Sequence, residues 1–167
     1  EHAGAKDVYL IHEPMAAAIG IGIDVIEPMG NMIIDIGGGT SEIAVIALGG
    51  IVCDKSIRVA GDDFTRDIEE YMRRQHNILV GERTAEQIKI EVGSALLELP
   101  EEKIPEPYAV RGRDLMTGIP KEISITYSEI AHALDKSVAK IEQAILNALE
   151  MTPPELSADI FKTGIYL

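Results

Sequence analysis

The stretch Asn31-Met32-Ile33-Ile34-Asp35-Ile36-Gly37-Gly38-Gly39-Thr40-Ser41 runs from apolar residues into an acid, three glycines and two hydroxyls. Glu42-Ile43-Ala44-Val45-Ile46-Ala47-Leu48 then restores the apolar pattern. This order reads as strand, tight turn, strand. The glycines permit positive φ and leave no side chain over the turn, so successive backbone N–H groups can converge on an anion such as phosphate. Asp35 falls where the first strand ends, a poor place to pack a carboxylate but a good one to hold a hydrated Mg²⁺ beside phosphates. An ordinary Gly-rich hairpin turn with a solvated aspartate fits the same residues.

Outward from this hairpin, Gly49-Gly50 signals a second short turn, and residues 51–60 supply a third strand, giving an antiparallel meander. Before it, Val8-Tyr9-Leu10-Ile11 reads as a short strand and Glu13-Pro14-Met15-Ala16-Ala17-Ala18-Ile19-Gly20 as a helix opened by proline, thin enough through its alanines to lie close to a sheet. After the meander, Gly61-Asp62-Asp63 caps a helix with Phe64, Ile68, Tyr71 and Met72 on one face and Arg73-Arg74 at its end. Thr84 and Gln87 form a capping-box pattern ahead of the stripe Ile88, Val92, Ala95 and Leu96. Residues 99–107 read as an acidic, Pro-rich loop, and residues 108–113 and 121–126 as two pairing strands. Ser128 is placed to cap a long helix with the stripe Ile130, Leu134, Val138, Ile141, Ile145 and Leu149. Pro153-Pro154 opens a short helix over 155–162, followed by a terminal strand-like run to Leu167.

The chain has 167 residues, 46% of them hydrophobic, enough for one sizeable core or a core with a smaller appended lobe. Its formal net charge of −13 sets the overall field against nucleic-acid backbones and anionic lipid, so no nucleic-acid partner is expected and a nucleotide pocket has to use local dipoles. The single cysteine, Cys53, excludes an internal disulfide and suits a buried small residue in a reducing compartment. No apolar run approaches membrane-spanning length and Glu1-His2-Ala3-Gly4 is not a signal sequence, so a cytoplasmic protein is expected. The first residue is not methionine and the last strand has no turn after it, which reads as a piece of something longer. His2, His12, His76 and His132 share no metal-ligand spacing, and Arg111 with Arg113 reads as strand surface.

Taken together, Ile11-His12-Glu13-Pro14-Met15-Ala16-Ala17-Ala18-Ile19-Gly20, Asp35-Ile36-Gly37-Gly38-Gly39-Thr40, Ile57-Arg58-Val59-Ala60-Gly61-Asp62, Gly81-Glu82-Arg83-Thr84-Ala85-Glu86-Gln87-Ile88-Lys89 and Thr152-Pro153-Pro154-Glu155-Leu156 resemble the second half of actin-like ATPases. Within that superfamily they are most similar to the bacterial cell-shape (rod shape-determining) proteins of the MreB family, over essentially the whole chain. His12 departs from the family, which commonly has another acid before Glu13. The resemblance implies an α/β, RNase H-like core (subdomain IIA, residues 1–60 and 126–167) interrupted by a smaller α+β lobe (subdomain IIB, residues 61–125).

The resemblance further implies an ATP site that uses Mg²⁺. Asp35 acts on the metal, Gly37, Gly38, Gly39, Thr40 and Ser41 line the phosphates, Glu13 positions or activates the attacking water, and Thr40 counts with Glu13 among the catalytic residues. Glu86, Gln87, Lys89 and Ile90 hold ribose and adenine, and Gly61 approaches the nucleotide. Each residue also has a plainer reading: Glu13 as a helix N-terminal acid favoured by the dipole, and Glu86 with Lys89 as a surface ion pair. The family assembles head-to-tail filaments that organise side-wall synthesis at the inner face of the cell membrane. It works with RodZ-like and other cell-wall elongation partners and attaches to the membrane through the other lobe. The parent is expected to hydrolyse ATP; this chain alone, lacking the family's other nucleotide loops, is expected to bind it weakly or not at all. A DnaK-type chaperone, a sugar kinase and a non-enzymatic interaction module are the alternatives.

Overall fold

The computed structural model describes residues 4–167, so the readings made on His2 and on residues 1–3 lie outside the described residues. The described chain divides into two compact units. One comprises the residues up to Ile36 with Ser41–Ile57 and Ala144–Leu167, the other Gly37–Thr40 with Arg58–Gln143. The contact boundaries at 57/58 and 143/144 stand beside the sequence-based ones at 60/61 and 125/126.

In the first unit the meander forms as expected. Strands β1 (Asn31–Ile36), β2 (Ser41–Ala47) and β3 (Gly50–Ile57) pair antiparallel, with Ile34 opposite Ile43 and Asp35 opposite Glu42. The terminal run forms β7 (Ile165–Tyr166), parallel to β1, and the sheet order is β3-β2-β1-β7. Successive side chains alternate faces, and here both faces are covered. Met32, Ile34, Ile43 and Val45 pack with Ala144, Ala148 and Ile160, whereas Ile33, Ala44 and Ile46 pack with Ala18. These partners come from α4 (Tyr127–Met151) and α5 (Pro154–Thr163) on one face and from α1 (Glu13–Gly20) on the other. Ala18 is fully buried, as a thin helix against a sheet requires. Asp159 of α5 accepts a hydrogen bond from the Gly30 amide at 3.0 Å, and a Cβ at Gly30 would lie 2.8 Å from that of Leu156, so only glycine allows α5 to approach. Cys53 is buried with its thiol pKa pushed up, first by desolvation.

Three expectations shift here. Residues 8–11 form no strand and are exposed, because an apolar run becomes a strand only where a neighbour accepts its backbone hydrogen bonds, and none does among the described residues. The β2–β3 turn is centred on Leu48 and Gly49, at φ 52° and 71°, with Ala47 opposite Gly50, one residue earlier than Gly49-Gly50 suggested. Leu48 bears the left-handed conformation, a cost of about 1–2 kcal/mol, held by hydrogen bonds from its own amide to Glu27 O and from the Gly49 amide to Val25 O. Finally, β3 ends at Ile57 rather than running to residue 60.

The second unit contains α2 (Gly61–His76), β4 (Ile78–Leu79), α3 (Glu82–Val92), β5 (Tyr108–Asp114), β6 (Pro120–Ile125) and the first part of α4. Strands β5 and β6 pair as expected, and the two-residue β4, too short to show as a periodic run, completes a sheet ordered β4-β5-β6. Ile68 and Met72 of α2, Ile88 and Val92 of α3, Val110, Ile125, Ile130 and Leu134 share one core. Helix α3 begins at Glu82 with Gly81 as its N-cap, so Thr84 lies inside the first turn and its capping box does not form. Helix α3 also stops at Val92, leaving Leu96 exposed. The capping box appears instead at α4. The Thr126 amide donates to Glu129 Oε2 at 2.9 Å and the Glu129 amide to Thr126 Oγ1 at 3.4 Å, two residues before Ser128.

Asp114 closes the β5–β6 turn, its Oδ1 accepting from the amides of Thr117 and Met116, both at 2.9 Å, with Lys121 Nζ 3.3 Å from Oδ2. The Thr117 amide leads in holding its pKa down to about 2, against a smaller opposing effect of desolvation. A folded-state pKa below the unfolded one gives stability that is complete above the ordinary aspartate range and lost as pH falls through the folded value. Asp114→Asn keeps an acceptor oxygen but removes the charge. Urea midpoints should therefore separate wild type from this variant at pH 5, with the gap closing between about pH 4 and 2; a pH-independent gap contradicts this account of the turn.

Candidate nucleotide site

The first backbone N–H groups of a helix lack partners within the helix. At α2 the Gly61 amide donates to Gly37 O at 3.0 Å and the Asp62 amide to Gly38 O at 2.8 Å, while the Gly37 amide closes the turn on Thr40 O at 2.9 Å. Asp63 accepts from the Ala60 amide at 3.1 Å and places an acid in the first turn, as the helix dipole favours. The Gly-rich turn is thereby clasped to α2 through its own carbonyls. Its remaining N–H groups, at Gly38, Gly39 and Thr40, are exposed and meet no acceptor among the described residues.

The glycines act differently from the expectation of positive φ: none of Gly37, Gly38 and Gly39 takes it. Close approach is the constraint instead. A Cβ at Gly38 would lie 3.4 Å from Asp62 Oδ1, and one at Gly61 would lie 3.3 Å from Gly37 O and 3.5 Å from Lys89 Nζ. Over Gly39 there is open space within 4 Å, so neither strain nor packing inside the unit calls for glycine there.

Helix α3 meets the same end of α2. Lys89 Nζ lies 2.6 Å from Glu86 Oε2 and donates to Gly61 O and to Thr65 Oγ1, both at 3.1 Å. An ammonium has three protons, and each has an acceptor. The Thr65 hydroxyl lies 2.7 Å from Glu86 Oε2 and 3.1 Å from Gly61 O. The Lys89 hydrogen bond, then that of Thr65, holds the Glu86 carboxyl below its ordinary pKa. Both bonds end on Oε2, and Oε1 has no donor among the described residues.

Of the residues named from sequence, Gly37, Gly38, Gly39, Thr40, Gly61, Glu86 and Lys89 thus lie in one compact unit, joined by the α2 N-terminus. Gln87 donates to Glu91 at 2.7 Å and Ile90 is 67% exposed, so neither joins the network. Glu13, Asp35 and Ser41 belong to the first unit. Glu13 is exposed at the start of α1, Ser41 is buried, and Asp35 is half-buried directly opposite Glu42 in the strand register, a like-charge pairing that is unfavourable by itself and that a bound cation would relieve. Sequence reading missed Thr65, whose one available signal is its place four residues after Gly61 on α2.

Gly61→Ala places a methyl group against Gly37 O and Lys89 Nζ. It should destabilise the chain by about 1–3 kcal/mol and speed amide exchange at Gly61 and Asp62; unchanged exchange at both contradicts the clasp.

Residues 1–167 match the model of the MreB/Mbl protein family. The chain is 48% identical to the cell shape-determining protein Mbl of Bacillus subtilis over 167 residues, 100% of this chain and 49% of that protein. It is likewise 48% identical to the cell shape-determining protein MreB of Escherichia coli over 165 residues, 99% of this chain and 46% of that protein. It therefore spans about half the length of these relatives. Among solved structures it is similar to MreB5 of Spiroplasma citri bound to ADP, with a TM-score of 0.91 and 41% identity over 98% of this chain and 49% of that one. The AMPPNP-bound form of MreB5 gives a TM-score of 0.90. The MamK double helical filament shares the fold at a TM-score of 0.65 and 21% identity over 87% of this chain and 42% of that one.

Proposed function

The chain belongs to the MreB/Mbl family, and from that membership we propose that it forms part of an ATP-binding, ATP-hydrolysing, filament-forming cell-shape protein. The single observation that carries the proposal is the clasp of the Gly37–Thr40 turn to the start of α2, with Glu86 and Lys89 gathered at the same helix end. It leaves exposed backbone N–H groups beside open space over Gly39, a fit for phosphate oxygens, which such donors bind well. The ADP and AMPPNP carried by MreB5 supply the nucleotide class.

In this reading Gly37, Gly38, Gly39, Thr40 and Ser41 hold the phosphates, and Gly61 keeps the turn close to α2. Glu86 and Lys89, with Gln87 and Ile90 alongside, form the ribose and adenine wall. Asp35, across from Glu42 in the strand register, would hold Mg²⁺, which would supply charge neutralisation at the phosphates. Glu13 accepts a proton from, and so orients, the attacking water, and Thr40 fixes the phosphate that the water approaches. Positioning and charge stabilisation of this kind are what phosphoryl transfer asks of a protein.

Self-association into filaments at the inner membrane face, with RodZ-like and wall-elongation partners, is proposed from family membership. Among the described residues no helix is long and apolar enough to cross a membrane. The family match along residues 1–167 disfavours the chaperone, sugar-kinase and non-enzymatic readings. In the full-length product of the gene, Glu13→Ala and Asp35→Ala should each lower ATP turnover about 100-fold or more. Turnover at the wild-type rate in both variants contradicts the proposal and leaves the turn a structural hairpin.

A further inference from the structure

We propose that Thr65 is a positioning residue of the nucleotide site, its hydroxyl fixing the Glu86 carboxylate so that Oε1 is presented to the ribose hydroxyls. The proposal rests on the reading of α3 as the ribose wall. Thr65 is 5% exposed, and its side chain bridges α2 and α3, elements whose site residues are 21 positions apart. Its hydroxyl has one proton and can accept another. Lys89 donates to it at 3.1 Å and also to Gly61 O at 3.1 Å. With the Gly61 carbonyl served by an ammonium proton, the Thr65 proton goes to the closer and charged acceptor, Glu86 Oε2 at 2.7 Å.

The carboxylate is then held at one oxygen by two donors from different sides, Lys89 along α3 and Thr65 across from α2. Two such bonds fix the plane of the group as well as its place. Oε1 is left as the acceptor with nothing to satisfy it inside the unit, and a vicinal diol is a donor pair suited to it. Lys89 has no proton to spare for a ligand unless it releases one of these three acceptors, so its part is to hold Glu86 and the Gly61 carbonyl.

A merely structural Thr65, bonding back to Gly61 O as helical threonines often do, predicts that its loss affects all nucleotides alike. The two roles separate on ATP against 2′,3′-dideoxy-ATP, measured by titration calorimetry on the full-length product. Wild type should prefer ATP by about tenfold or more. Thr65→Val and Thr65→Ala should lose about tenfold in ATP affinity, the worth of a hydrogen bond to a charged group, with the dideoxy affinity within about twofold of wild type. Thr65→Ser should keep the preference. Equal loss for both nucleotides, or a preference that survives in both hydroxyl-free variants, overturns the role of Thr65. Glu86→Ala distinguishes the failure of the underlying reading: a preference for ATP that persists without Glu86 removes the ribose wall itself, whereas a preference lost in Glu86→Ala but kept in Thr65→Val removes only the inference about Thr65.

Discussion

Two backbone hydrogen bonds, from the Gly61 and Asp62 amides to the carbonyls of Gly37 and Gly38, set the geometry on which the candidate site depends. Helix N-terminal donors left without partners cost free energy, and here they are satisfied by the turn itself rather than by a ligand or a side chain. That choice has a consequence for charge. A turn whose carbonyls face the helix has its remaining N–H groups left for something else, and an anion gains from several such donors without the site needing a lysine in the turn. In a chain of net charge −13, local dipoles of this kind are the available means of binding phosphate.

The second level of organisation is the side-chain network at Gly61. Lys89, Glu86 and Thr65 satisfy one another and the Gly61 carbonyl, so α3 is tied to the same helix end that holds the turn. The Glu86–Lys89 spacing alone describes a surface ion pair of small worth. The buried hydroxyl of Thr65 turns it into an oriented pair with one carboxylate oxygen left over. Gly61 serves both levels, because a Cβ there would crowd the Gly37 carbonyl at 3.3 Å and come into contact with the Lys89 ammonium at 3.5 Å.

Much of this was legible in the sequence because it follows from local periodicity. The apolar alternation around Asp35 gave the meander, the stripes at Ile68 and Ile88 gave the helices of the second unit, and the Gly-rich run marked the turn. What was not legible depended on contacts distant in sequence or on one-residue choices. The run at 8–11 has strand composition but no partner strand among the described residues. The β2–β3 turn falls on Leu48-Gly49 because the backbone of Glu27 and Val25 accepts from those two amides, a constraint invisible beside two adjacent glycines. Thr84 matched a capping box, but Gly81 starts the helix three residues earlier, and Thr126 caps α4 in place of Ser128. In the candidate site, Glu86 and Lys89 were visible as a pair, whereas Thr65 acquires meaning only when α2 and α3 are brought together.

Backbone amide chemical shifts of the full-length product, followed as ADP and Mg²⁺ are added, test the central claim most directly. The account predicts that the amides of Gly38, Gly39 and Thr40 move most, together with those of Thr65 and Glu86, while Gly61 and Asp62 stay protected from exchange throughout. Saturating nucleotide that leaves the Gly38, Gly39 and Thr40 amides in place contradicts it, since the clasped turn is then a structural element and the phosphates bind elsewhere.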